Sequence, residues 1–214
     1  MNSNSMEKAL AADDASVRLK AALAAGSDPD PHLLETLVAR CAVEPDFYVR
    51  DMLTWALIRL PHAATVPRLL VELHAQNPQA RSQALHTLSK IADASAWPAI
   101  SPALLRDADD EVARSAWRAA VVLVPEGQEP ALAAELATQF GRGDRSLQLS
   151  LSRALIGLGN QAVEPVLREA MGSPDPLVRA HAGATEKLLR NPDAAFEPDL
   201  KEARRVFVLS KERG

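Results

Sequence analysis

An all-α chain, a right-handed α-solenoid of about five helix pairs with capping helices at both ends, is the fold this sequence predicts. Three observations carry that expectation. First, the stretch DFYVRDMLTWALIRLP from Asp46 to Pro61 opens on a capping aspartate and then spaces Leu53, Ala56, Leu57 and Leu60 on one helical face. Second, the stretch recurs from Asn77, Asp110, Asp144 and Asp175, at intervals of 31, 33, 34 and 31 residues. Third, the residue four beyond each cap is Arg50, Arg81, Arg114, Gln148 and Arg179. Recurrence on this length is the mark of a helical repeat array, in which each unit buries its apolar face only by stacking on the next.

In chain order, residues 1–5 (MNSNS) are polar and without period, and are expected to form a disordered tail. Residues 6–31 read as N-terminal capping helices rich in alanine and leucine, without the repeat signature, closed by Gly26 as a left-handed cap and by a turn through Pro29 and Pro31. Residues 32–190 hold the five pairs, whose first helices are expected near 33–43, 64–75, 96–106, 130–140 and 162–171. Several carry a proline followed by leucines, such as Pro67 and Pro102. Such a proline marks a helix start, or bends the helix if it begins earlier. Gly127, Gly141, Gly143, Gly159 and Gly172 fall between helices. Residues 191–214 make a connector, a last capping helix near 200–209 and a tail.

The D-x-x-V-R signature, clearest at Asp46-Val49-Arg50 and Asp175-Val178-Arg179, resembles the HEAT-like repeats, in the variant also seen in phycobilin lyases. The resemblance covers roughly residues 32–190 and departs from the pattern at Asp144, where Leu147-Gln148 stand for Val-Arg. The chain also resembles uncharacterised actinobacterial HEAT-repeat proteins. These resemblances imply the fold and leave the activity open.

Composition narrows the function classes. Twenty-eight acidic residues against twenty-four basic ones give a formal net charge of -4, where nucleic-acid surfaces are usually basic. Cys41 is the single cysteine, so no intramolecular disulfide forms, and a reducing, cytoplasmic location is expected. No apolar run approaches a membrane span. No spacing of His with Cys, Asp or Glu suggests a metal site, and no cofactor motif is present. Cys41 reads as a small buried residue, and Trp117 and Trp97 as packing.

Counted from the signature arginine, offsets -1, +3, +6, +7 and +10 form the core stripe, and +1, +5 and +8 the opposite, groove-facing side. Trp55, Ile58, Val122, Leu149 and Ile156 fall on that groove side. Either neighbouring repeats cover them or the groove is partly apolar. The candidate partner-binding residues are Asp51, Trp55, Ser82 and His86, with Arg118 and Arg153 added as cations. Asp51 and Trp55 are four apart, Ser82 and His86 repeat that spacing, and a groove-facing tryptophan suits a binding anchor. The arginine row is expected to pair with Asp46, Asp110 and Asp175 as a structural ladder.

The expected function is a non-enzymatic scaffold or adaptor with a protein or peptide in its concave groove, and no nucleic acid or membrane as partner. Two resemblance-based alternatives stand beside it. One is a HEAT-like alkylpurine DNA glycosylase, which uses concave Trp and Asp residues; the other is a bilin-lyase-like or chaperone role.

Overall fold

The computed structural model describes residues 3–193 and 195–200. Among these every regular element is a helix, and the residues divide into two compact units. The first contains the described residues up to Leu104 together with Glu111–Leu123. Its helices are α1 (Ser3–Leu10), α2 (Ala15–Ser27), α3 (Leu34–Cys41), α4 (Phe47–Arg59), α5 (His62–Glu72) and α6 (Pro78–Ile91), then the short α7 (Pro102–Leu105) and nearly all of α8 (Asp110–Leu123). Here α2 packs on α4, α4 on α6, and α3 bridges α4 and α6. The second unit contains Leu105–Asp110 and the described residues from Val124. It holds α9 (Glu129–Ala137), α10 (Arg145–Gly157), α11 (Asn160–Met171) and α12 (Pro176–Arg190), with α11 packed on both α9 and α12, and α10 on α12.

The signature works locally. The Asp46 carboxylate accepts the backbone N–H groups of Tyr48 and Val49, Asn77 that of Gln79, Asp144 that of Leu147 and Asp175 that of Leu177. Each bond satisfies a donor that the first helical turn leaves without a partner. Where the sequence suggested a ladder with these aspartates, the structure shows Arg50, Arg81 and Arg179 donating to backbone carbonyls. Each of these three guanidinium groups reaches back five or six residues to the preceding turn, whereas Arg114 lies 3.6 Å from Glu111. Arg50 Nη1 donates to Glu44 O and Pro45 O, both at 2.8 Å, and Arg81 Nη1 to Ala75 O and Gln76 O. Arg179 Nη1 donates to Ser173 O, and Gln148 Nε2 reaches Gly141 O and Gly143 O. Carbonyls at the turn have lost their helical donors, and a long side chain with several N–H groups satisfies two of them at once.

The same geometry appears in the segment expected to lack it. Asp14 caps α2 through the Ser16 N–H, and Arg18 Nη1 donates to Ala12 O and Asp13 O. Asp14-Val17-Arg18 is therefore a further copy of the signature, 32 residues before Asp46. The helices α1 and α2 form a pair of the repeat pattern and not a separate cap. Helix α1 also begins at Ser3, inside the stretch expected to be a tail.

Two further departures have local causes. Where one helix was expected over 96–106, the chain forms a 3-10 turn, Ala94–Ala99, and the four-residue α7. Pro98 and Pro102 each remove a backbone donor, and each disfavours helical geometry in the residue before it. Gly26 is no left-handed cap: it lies within α2, and it is absent from the positive-φ residues. A Cβ there would overlap the six-membered ring of Trp55, so the indole lies directly on the Gly26 backbone. Pro67 and Pro165 sit inside α5 and α11 and do not start them. Apart from Leu200 itself, the expected capping helix near 200–209 lies outside the described residues.

The core stripe follows the expected offsets in α4 and α6. Val49, Leu53, Ala56, Leu57 and Leu60 are buried, as are Ala80, Ala84, Thr87, Leu88 and Ile91. In α8 it shifts to Val112, Ala113, Ala116, Trp117, Ala120 and Leu123, and Ala119, expected on the groove side, is buried too. Neighbouring turns in the first unit are tied by a buried ion pair. Glu44 has no exposed surface; its carboxylate takes both Arg18 Nε and Nη2 at 2.8 Å, Arg40 Nε at 2.8 Å and the Asp46 N–H. Burial opposes its ionisation. The bonds from Arg18, Asp46 and Arg40 outweigh that penalty and hold the carboxyl at about 2.

Candidate functional site

Helices α4, α6 and α8 each present a polar flank to one solvent-open depression of about 290 Å³ in the first unit. Asp51, Ser82 and Ser115 occupy the same offset, +1, in three successive signature helices, and all three line it. Thr54 and Arg118 share offset +4, and Phe47 and Glu111 offset -3. At about 100° per residue these three offsets fall within one arc of about 60°, which is why a single depression gathers them. Arg50, Gln83 and His86 complete the lining.

Four of the six candidate residues thus meet: Asp51, Ser82, His86 and Arg118. Trp55 does not join them. It shares offset +5 with His86, and in a stack of parallel helices that flank looks back to the preceding repeat. His86 therefore faces the depression beside α4, whereas Trp55 faces α2 and covers Gly26. Equal offsets are related by the spacing between helices, about 8–10 Å, so residues at one offset need not touch. Arg153 belongs to the second unit, where it lines a different depression of about 570 Å³ with Asp144, Arg145, Leu149, Leu188 and Phe196. Sequence reasoning passed over Phe47, Thr54, Gln83 and Glu111. The shared offsets -3 and +4 were the signal that would have found Phe47, Thr54 and Glu111.

The charges around the depression are mostly committed. Arg50 donates to two carbonyls, Glu111 lies 3.6 Å from Arg114, and Arg118 has an interaction of its own. Asp51 is exposed and makes no hydrogen bond or ion pair among the described residues. Thr54 is 3% exposed, and its Oγ1 has no hydrogen-bond partner. Burial lowers the pKa of His86, Lys90 and Arg118 lower it further, and Asp51 opposes them. The titration of His86 therefore lies below the ordinary 6.5. Phe47, which lines the depression, is 66% exposed, and its ring makes a T-shaped contact at 5.6 Å with that of Tyr48, which is 71% exposed.

The second unit holds a serine–histidine pair, and its geometry is structural. Ser152 Oγ lies 3.1 Å from His181 Nε2 and 2.7 Å from Thr185 Oγ1, and all three residues are fully buried. The Gly141 N–H donates to His181 Nδ1, so the ring proton sits on Nε2 and is shared with Gln148 O at 2.9 Å. An imidazole in that tautomer has no lone pair facing the serine and is no base for it. Burial lowers its pKa to about 4, and the rings of Phe140 and Phe196 flank it. Cys41 is likewise buried, and burial pushes its thiol up to about 12. Among the described residues no group of three or more His, Cys, Asp or Glu is placed to hold a metal ion, and no helix is long and apolar enough to cross a membrane.

No curated protein matches the chain. Among solved structures, the crystal structure of an engineered protein aligns at 21% identity, covering 89% of this chain and 97% of that one, with a TM-score of 0.49. Residues 34–121, which include every element lining the depression except the end of α8, match the family model of HEAT repeats. The capped helix and its carbonyl-binding side chain recur on both sides of the matched residues, at Asp14 with Arg18, Asp144 with Gln148 and Asp175 with Arg179, so the same local geometry continues beyond the HEAT-repeat match.

Proposed function

We propose that the chain is a non-enzymatic scaffold that holds a protein or peptide partner at the depression formed by α4, α6 and α8. The observation that carries this reading is the convergence of equivalent positions from three successive repeats on one solvent-open site, with Asp51, Ser82 and Ser115 in register. Repeat arrays bind through such rows, because stacking brings one offset of each repeat onto a continuous surface. The site is polar, with the exposed ring of Phe47 in its lining, as befits a surface that meets water when free and a partner when bound. The buried state of Cys41 and the tautomer of His181 supply no nucleophile, which favours binding over catalysis.

A photo-cross-linking amino acid at Gln83, in the native host, tests the reading against the same probe at Glu164 on α11. A discrete adduct should form from Gln83, and Asp51→Arg should abolish it without lowering the melting midpoint. An identical adduct from Glu164, or one indifferent to Asp51→Arg, would retire the proposal.

A further inference from the structure

We infer that the face shared by α10 and α12 is a second docking site, for an extended partner segment that carries a phenylalanine, and that the chain's own residues 195–200 occupy it in cis until that partner displaces them. The inference concerns the second unit and stands independently of the depression formed by α4, α6 and α8. Its first basis is position. Arg145 at offset -3 and Leu149 at +1 of α10 match Phe47 and Asp51 of α4, and His181 at +2 of α12 matches Gln83 of α6. These offsets line the first-unit depression, and in the second unit the chain's own segment lies on them. Phe196 is 4% exposed, its ring stands edge-on to that of His181 at 5.8 Å, and Arg145 Nε donates to Phe196 O at 2.7 Å. A main-chain group held by hydrogen bonding and a side chain held in a pocket are the two means by which extended peptides are recognised.

The second basis is how lightly the segment is held. Residues 195–199 form no helix or strand, and Ala195, Glu197, Asp199 and Leu200 are exposed. Phe196 is the one buried side chain among them, and Asp199 makes an interaction of its own. The seat is also larger than its occupant. Beside Phe196 a depression of about 570 Å³ stays open to solvent, lined by the half-buried Leu149 and Leu188. A segment that lays a second apolar side chain on those leucines removes surface from water that the resident one leaves wet. Tethering favours the resident, with an effective concentration on the order of 1 mM, so a partner segment enters only through contacts the resident lacks.

The test uses isotopically labelled full-length protein and two acetylated, amidated hexapeptides. One is Ala-Phe-Glu-Pro-Asp-Leu, the sequence of residues 195–200, and the other has alanine in place of the phenylalanine. In Phe196→Ala the ring resonances of His181 should move. The first peptide should return them toward their wild-type positions and shift the amides of Leu149 and Leu188. It should bind the wild type at least about tenfold more weakly, because the tethered segment competes. At saturation it should move the wild-type amides of Glu197 and Leu200 as the resident segment leaves. The alanine peptide should bind neither protein. Phe196→Leu, which keeps an apolar side chain in the seat, carries the same comparison if Phe196→Ala fails to fold. Equal binding to wild type and variant, equal binding of the two peptides, or binding that leaves His181 unmoved would overturn the inference. So would a wild-type dimer that is lost in Phe196→Ala, since the occupant would then be a second copy of this chain.

Discussion

Replacing Gly26 by alanine tests how Trp55 is used. In an ordinary helix interior, Gly→Ala stabilises by about 0.5–1 kcal/mol, because glycine loses more backbone freedom on folding. Gly26 is helical, so propensity alone predicts a gain. The added Cβ, however, would overlap two carbons of the Trp55 ring, which is planar and cannot fold away without leaving α2. Overpacking of this kind costs about 1–3 kcal/mol. The single substitution should therefore be neutral to destabilising by about 2 kcal/mol. In a Trp55→Ala background the obstacle is gone, and Gly26→Ala should stabilise by about 0.5–1 kcal/mol. The coupling between the two sites equals the overpacking cost, about 1–3 kcal/mol, and is the quantity to measure, by urea denaturation of the wild type, both singles and the double. A stabilising Gly26→Ala in the wild-type background would refute the placement of Trp55 against α2. It would return the indole to the groove as a candidate anchor.

Other expectations follow from burial and charge. Trp117 is 1% exposed, and Trp117→Ala should cost about 3–5 kcal/mol, read as a lower denaturation midpoint. His181 has its folded pKa lowered from 6.5 to about 4, so its contribution is whole above pH 6.5 and is lost as pH falls from 6.5 to 4. The loss should be roughly 3 kcal/mol and should vanish in His181→Gln. Glu44, lowered from 4.5 to about 2, acts in the next window: its contribution is whole above pH 4.5 and is lost between 4.5 and 2. Denaturation midpoints at pH 7, 5, 4 and 3 separate the two windows. Glu44→Gln should remove the lower one, at the cost of stability at pH 7 because Arg18 and Arg40 lose their counter-charge.

The sequence by itself determined whatever depends on residues within one turn and one helix. Asp46, Asn77 and Asp175 cap because a side-chain oxygen reaches N–H groups two or three residues on, and that geometry travels with the chain. The apolar face of α4 followed from helical period alone. The Asp14-Val17-Arg18 copy was equally legible but was passed over, because the alanines after Arg18 obscure the leucine spacing of the other copies. Tertiary structure decided what depends on a neighbour. Period places Trp55 on the groove half of α4 but does not say which adjacent helix that flank meets; α2, with a glycine opposite the ring, took it. The Glu44 pair with Arg18 spans 26 residues, and the depression that gathers Asp51 and Thr54 with residues of α6 and α8 exists only once those helices are in place. A helical sequence specifies the angle at which a side chain leaves its own axis. What stands at the end of that angle is fixed only when the repeats stack.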